Sequence, residues 1–304
     1  DNLPDSFGDP SVDKVRATKG AANALLAKIW AQRSDRDYNK VLKYCDAVIS
    51  SSAGYLLEPD YYKLFDGANY INSEAILLIP FIEGSPTSNW GVELFLPADD
   101  DWQKYCIPSK DLVAAYVNEG DAIRMKSNIV FYNNQKWSDE NWSPCQDPAD
   151  TIPYNNKQKH AAGWASGDNY YLLRMGDIVT LKAEAQNELG DLPGAKTTLN
   201  LVRQRANLPD VVAANKDEMK AKILHERRLE LAFEAQRWDD LVRAGSATGV
   251  MTALEEYKYT CNEGTPSAPV KINYNVDQDH WLMPIPQSEI DANPNLIQNP
   301  GYGL

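Results

Sequence analysis

The chain lacks any long hydrophobic run. No stretch of its 304 residues approaches the ~20 apolar residues that a membrane-crossing helix requires, so no such helix is expected. Basic residues are scarce beside acidic ones, 30 Lys and Arg against 43 Asp and Glu, giving a formal net charge of -13. Without a basic stripe to meet a phosphate backbone, nucleic acid is excluded as a partner. Histidine occurs three times, at His160, His225 and His280 in unrelated settings, and no CxxC spacing exists, so no metal site is expected. The run Asp99-Asp100-Asp101 leaves a solvated loop and a weak calcium site both open. No GxSxG, HExxH or phosphate loop appears, and no cofactor is implied. Carboxylates are so abundant that chance pairs are guaranteed and carry no glycosidase argument, so an enzyme is not expected.

Cysteine is also sparse. Cys45 shares a helical face with Val41 and Val48 and reads as a buried thiol. Cys106, Cys145 and Cys261 fall in loop-like segments. A Cys106–Cys145 disulfide is one candidate, because both lie in the same irregular region, but the count fixes no connectivity.

What the chain does have is helical periodicity. Residues 14–33 form an Ala-rich amphipathic helix with a partner at 36–51. A second pair spans 170–206, joined at Gly190-Asp191-Leu192-Pro193, with Pro193 favourable in a first helical turn. A third runs over 216–245. Shifted by 154 residues, Ala27, Ala31, Val41, Cys45 and Val48 fall on Leu181, Ala185, Ala195, Leu199 and Val202. The expected fold is therefore mainly α: tetratricopeptide-like helix pairs forming a scaffold, with long irregular loop insertions and a few short strands. Residues 1–304 are read as a single domain. Asp60–Phe65 reads as a short helix and Glu74–Phe81 as a strand ended by Pro80. Residues 84–169 are loop-rich, with one clear helix over Ser109–Glu119 capped by Ser109. A second loop covers Thr260–His280. The tail, 281–304, carries Pro284, Pro286, Pro294 and Pro300 and must run extended, with one turn capped by Ser288.

The segment His225–Gly245, HERRLELAFEAQRWDDLVRAG, packs charge and hydrophobicity together unusually densely. Leu224, Leu231, Ala235, Trp238 and Val242 share one helical face, and Arg228 falls on that same stripe. Arg227 with Glu230, Glu234 with Arg237, and Asp239 with Arg243 stand at neighbour spacing. The reading is a half-buried helix clasped by ion pairs, since an unpaired buried charge is expensive, ended by Gly245 as a C-cap. Trp238, Trp30 and Tyr116 are assigned to the core.

The residue order of this segment resembles the signature helix of the SusD/RagB family, with Ala235 where the family usually carries Gly, a change expected to matter little. Leu172-Leu173-Arg174-Met175-Gly176-Asp177 followed by Ala183-Glu184-Ala185 is similar to a second family helix, with Gly176 in place of Ala. Leu282–Tyr302 resembles the closing segment. The resemblance implies a surface-exposed outer-membrane lipoprotein that binds oligosaccharide or polysaccharide and passes it to a SusC-like TonB-dependent transporter. The chain shows no charged n-region, apolar h-region or early cysteine. The implied lipid anchor and an N-terminal portion are accordingly expected outside it, as in a truncated member. The alternative is a tetratricopeptide-like scaffold for a protein or peptide partner, or peptide uptake.

Family sugar contacts vary in position, so the candidate site rests on the residues themselves. Trp90, Trp102, Trp137, Trp142 and Trp164 are five of the chain's eight tryptophans, within a mostly polar insert. Sugars present apolar C–H faces beside hydroxyl rims, which suits flat aromatics interleaved with polar side chains. A single tryptophan more often anchors a loop from beneath; from the set, one or two exposed platforms are expected. The candidate binding residues are Asn89, Trp90, Trp102, Tyr132, Trp137 and Trp142, with Trp90 foremost, held out by a turn at Pro86 and Gly91.

Overall fold

Helix pairs stacked side by side carry the fold. The computed structural model describes residues 2–95, 105–133, 137–160 and 164–302. A short α1 (Pro10–Asp13) precedes the first pair, α2 (Lys19–Gln32) and α3 (Tyr38–Ile49). Then come β1 (Ala75–Ile79), α4 (Lys110–Glu119), α5 (Ala122–Asn128), β2 (Ile129–Tyr132), β3 (Ile152–Asn155) and β4 (Tyr170–Arg174). The second pair is α6 (Met175–Glu188) and α7 (Leu192–Arg205), followed by α8 (Lys216–Glu230), α9 (Arg237–Arg243) and α10 (Ala247–Ala253). Four two-residue strands, β5 (Tyr257–Lys258), β6 (Cys261–Asn262), β7 (Thr265–Pro266) and β8 (Val270–Lys271), lead to α11 (Gln287–Ala292) in the tail. β1 pairs antiparallel with β4, and β2 with β3.

The stacking order is α2–α3, then α6–α7, then α8, with α6 touching α3, α7 and α8. The mainly helical expectation holds. The ten positions matched by the 154-residue shift are all buried, none more than 1% exposed. Ala21, Ala24, Ala27 and Ala31 let α2 approach α3 and α6 closely. Caps set the boundaries. Thr18 accepts from the Ala21 N–H, so α2 starts at Lys19 and not at Lys14, whose ammonium instead bonds the Ala75 carbonyl at 2.5 Å. Ser109 caps α4 as expected, its Oγ accepting from the Leu112 N–H at 3.1 Å. The insert holds more than that one helix: α5, only seven residues long, and the β2–β3 pair were too short to show a period. In the tail, Pro286 and not Ser288 occupies the N-cap of α11.

The third pair over 216–245 is present, but the single helix expected over His225–Gly245 is broken. α8 ends at Glu230 and α9 begins at Arg237, with Phe233 at φ +65 and Ala235 at φ +56 between them. The break turns Trp238 out of the core: it is 38% exposed, its indole N–H donating to the Trp281 carbonyl at 3.2 Å. Trp30 is half-buried against the α2–α3 core, and Tyr116 is buried as assigned. Ala235 therefore stands in the left-handed region, where a Cβ costs ~1–2 kcal/mol, so the change from the usual Gly does matter. Ala235→Gly relieves that strain against ~0.4–1 kcal/mol of added unfolded-state entropy. The expected net gain in unfolding free energy, ~0.5–1 kcal/mol by urea titration, would be absent if this turn were helical.

Most charges of this segment pair across the fold, and the pair along one helix is Arg243 with Asp240 at 2.7 Å, not the expected Asp239. Arg174, at the start of α6, reaches Glu230 (2.6 Å), Glu234 (2.7 Å) and Glu74 (2.7 Å). Arg205 joins Glu74 and Glu230, each at 2.5 Å, and Arg124 reaches Glu230 at 3.2 Å and Glu226 at 2.6 Å. A second cluster sets Arg227 between Asp177 (2.8 Å) and Asp240 (2.9 Å), and Arg243 on Glu184 (2.7 Å). The side chain on the inner face is thus Arg227; Arg228 is part-exposed and pairs with Asp111 near solvent. Arg228→Ala should consequently cost at most ~1 kcal/mol. Gly245, at φ +70, ends α9 as expected.

Burial alone would raise the Glu230 carboxyl, but Arg205, Arg174 and Arg124 hold it well below the usual range. Asp177, Glu184 and Glu234 are likewise lowered, burial being outweighed by Lys28 and Arg227, by Arg243, and by Arg174 and Lys157 respectively. Asp121, raised by burial, opposes them. A carboxyl with a depressed folded pKa contributes stability above its unfolded value near ~4 that disappears as pH falls. Urea midpoints should hold from neutrality to pH ~5 and drop steeply below ~4; a flat profile to pH ~3 would contradict the clasp.

Candidate functional site

Two loops that are far apart in sequence meet to form an aromatic cleft. The first is a tight turn in which Asp139 and Ser143 exchange backbone hydrogen bonds of 2.8 and 2.9 Å. Within it, Asp139 Oδ1 accepts from the N–H groups of Asn141 and Trp142, each at 2.9 Å, which fixes how the turn presents both residues. The Trp142 indole N–H donates to the Pro108 carbonyl at 3.0 Å, and Phe131 meets the ring edge-on at 6.3 Å. The second loop follows α10. Tyr257 and Tyr259 stand two residues apart, so an extended chain places them on one face. The Tyr259 N–H donates to the Glu140 carbonyl at 2.9 Å, joining the two loops.

A covalent tie reinforces that contact. Cys145 and Cys261 form a disulfide with Cα atoms 5.0 Å apart across 116 residues of chain. The Cys106–Cys145 candidate is corrected accordingly, and Cys106 is a free, exposed thiol while Cys45 is buried. The resulting cleft, about 440 Å³, is lined by Trp142, Tyr257, Tyr259 and Tyr274 with Asn141 and the polar rim of Asp139, Lys110, Glu255 and Glu256, over a floor of Met251 and Leu254. Its volume lies in the range of small-molecule sites, ~300–1,000 Å³. The arrangement offers flat apolar faces and hydrogen-bonding groups side by side. Among the described residues no group of three or more His, Cys, Asp or Glu could hold a metal ion.

The other candidates are placed differently. Trp137 is 38% exposed and precedes the same turn. Tyr132, on β2, is half-buried with its ring edge-on to Tyr154 at 6.1 Å. Trp90 is 59% exposed and lies outside the cleft walls, at the start of a 3-10 turn beside Gly91. Asn89 is buried: its side-chain amide donates to the Asp168 carbonyl at 2.8 Å and accepts from the Gly91 N–H at 3.2 Å. It fixes the Trp90 turn from beneath. Trp102 and the Asp99–Asp101 run lie outside the described residues. Sequence reasoning missed Tyr257, Tyr259 and Tyr274. The available signal was Tyr257-Lys258-Tyr259 and Asn273-Tyr274-Asn275, the same interleaving of aromatic and polar residues that singled out the insert.

The chain is similar to known proteins along nearly its whole length. The model of the SusD family matches residues 32–302. SusD-like protein P25 of Formosa agariphila is 28% identical over an alignment covering 96% of this chain and 61% of that protein; SusD-like protein P2 of the same organism is 25% identical, covering 97% and 61%. The chain thus spans about three-fifths of the length of these relatives. Among solved structures, surface glycan-binding protein A from Bacteroides thetaiotaomicron superposes with a TM-score of 0.71 at 25% identity, covering 99% of this chain and 66% of that one. A laminarin-binding SusD-like protein gives 0.70 at 23% identity, covering 99% and 66%.

Proposed function

The chain belongs to the SusD family, and from that premise we propose that it is a non-catalytic binding protein for oligosaccharide or polysaccharide, acting as one domain. The observation that carries the reading is the cleft where Trp142 and three tyrosines stand among amide, carboxylate and ammonium groups. Stacking on the rings would hold the sugar face while Asn141 and the rim hold its hydroxyls. Two of the neighbours named above, one glycan-binding and one laminarin-binding, support the ligand class. Trp90 and Trp137, both exposed, are proposed as further platforms and Tyr132 as a further contact, and Asn89 contributes by holding the Trp90 turn. In this reading the full-length protein sits on the outer surface of the outer membrane through a lipid anchor and hands its cargo to a SusC-like TonB-dependent transporter.

Affinity electrophoresis and calorimetry against a polysaccharide panel test it. Trp142→Ala should weaken binding at least about tenfold, as loss of a central aromatic anchor costs ~2 kcal/mol or more. Trp90→Ala should weaken it less, with thermal stability unchanged. Full affinity in Trp142→Ala would remove the cleft from the site, and no binding to any glycan would sink the reading.

A further inference from the structure

The polar rim of the cleft is dominated by fixed negative charge. Three carboxylates line it, Asp139, Glu255 and Glu256, beside one cation among the described residues, Lys110. Lys110 lies against the aromatic walls, its ammonium 5.4 Å from the Trp142 ring centroid and 5.9 Å from that of Tyr259. Glu255 accepts from Lys271 Nζ and from the Tyr257 hydroxyl, each at 2.6 Å. Those two bonds hold its carboxyl below the usual range, so it is ionised at neutral pH. Glu256 accepts from the Tyr274 hydroxyl, a contact that pushes the phenol up to about 12. Asp139 is buried, with Oδ1 given to its own turn. Glu255 is exposed and Glu256 half-buried, so these two are the carboxylates of the rim that a ligand can reach.

Resting on the binding reading above, we infer that the cleft selects uncharged glycans and rejects polyanionic ones, uronate-bearing or sulfated, with Glu255 and Glu256 as the specificity-determining residues. A sugar hydroxyl donates to a carboxylate in a charge-assisted hydrogen bond, stronger than one between neutral groups. A ligand carboxylate or sulfate has no proton to donate there and brings a like charge into a partly enclosed, aromatic-walled space, where screening is weaker than in bulk water. Lys271 offsets part of the charge of Glu255, whereas Glu256 is met by a neutral phenol, so the repulsion centres on Glu256. The net charge of -13 repels a polyanion before it arrives.

The test uses the whole chain with laminarin, galactomannan and arabinoxylan as neutral probes and polygalacturonate, alginate and chondroitin sulfate as acidic ones, at low salt and at about 0.5 M NaCl. The expected result is binding to at least one neutral glycan, with every acidic one weaker by about tenfold or more at low salt, a gap that narrows as salt rises. A second comparison isolates the charge. Glu255→Gln with Glu256→Gln keeps the shape of the rim and should raise affinity for a carboxymethylated form of the bound glycan about tenfold relative to its hydroxyethylated form, which has similar bulk and no charge. An acidic glycan bound as tightly as the neutral ones, or a ratio unmoved by the double variant, overturns the selectivity while leaving glycan binding intact. Failure of all six probes to bind overturns both.

Discussion

Glu230→Ala lowers the free energy of unfolding by about 3–5 kcal/mol, the expected cost of breaking a buried ion network by removing one partner. Glu230 is fully buried and meets three guanidinium groups, those of Arg124, Arg174 and Arg205. Deleting its carboxylate takes a partner from all three buried cations at once and leaves Arg205 with Glu74, Arg174 with Glu74 and Glu234, and Arg124 with Glu226 and Asp121. Urea unfolding of the variant beside Arg228→Ala provides the comparison, since Arg228 pairs near solvent with Asp111. Equal losses in the two variants would mean that burial does not set the cost.

The second large effect is expected at the disulfide. Cys145→Ser with Cys261→Ser should cost about 2–5 kcal/mol, because the bond closes a loop of over a hundred residues in the unfolded chain. The same variant should weaken glycan binding several-fold at temperatures where it remains folded. The turn bearing Trp142 and the segment bearing Tyr257 and Tyr259 would then be held together by little more than the Tyr259–Glu140 backbone bond. Calorimetric melting with and without reductant, followed by binding at a temperature well below either midpoint, separates the two consequences. Binding unaffected by reduction would show that the scaffold alone fixes the width of the cleft.

The stacked helices were legible in the sequence because burial repeats with the helical period: Ala27, Ala31, Val41, Cys45 and Val48 announce a buried face without knowledge of what covers it. The ion pairs were legible in kind and wrong in partner. Local spacing offers Glu230 to Arg227, yet tertiary packing brings Arg174 to Glu230 from the end of β4, and no periodicity encodes that. The break at Phe233 and Ala235 was hidden for a related reason, since both residues are ordinary inside a helix and nothing in the local period marks their positive φ. Of the candidate site, Trp142 was visible as an aromatic interleaved with polar residues in the loop-rich insert. The tyrosines opposite were not, because their proximity depends on a disulfide and a backbone bond that join distant loops.

The clasp also makes the early helices depend on residues that come late in the sequence. Glu74, Arg174 and Arg205 all leave the ribosome before Glu230, and Arg227 and Arg243 supply the counter-charges that Asp177 and Glu184 await. Without those later residues the first two helix pairs would bury α6 with Glu184 lacking Arg243 and Asp177 left to Lys28 alone, a state costing several kcal/mol. A fragment ending before α8 is therefore expected to stay hydrated and loosely docked, because α8 and α9 carry the charges that let the earlier helices consolidate.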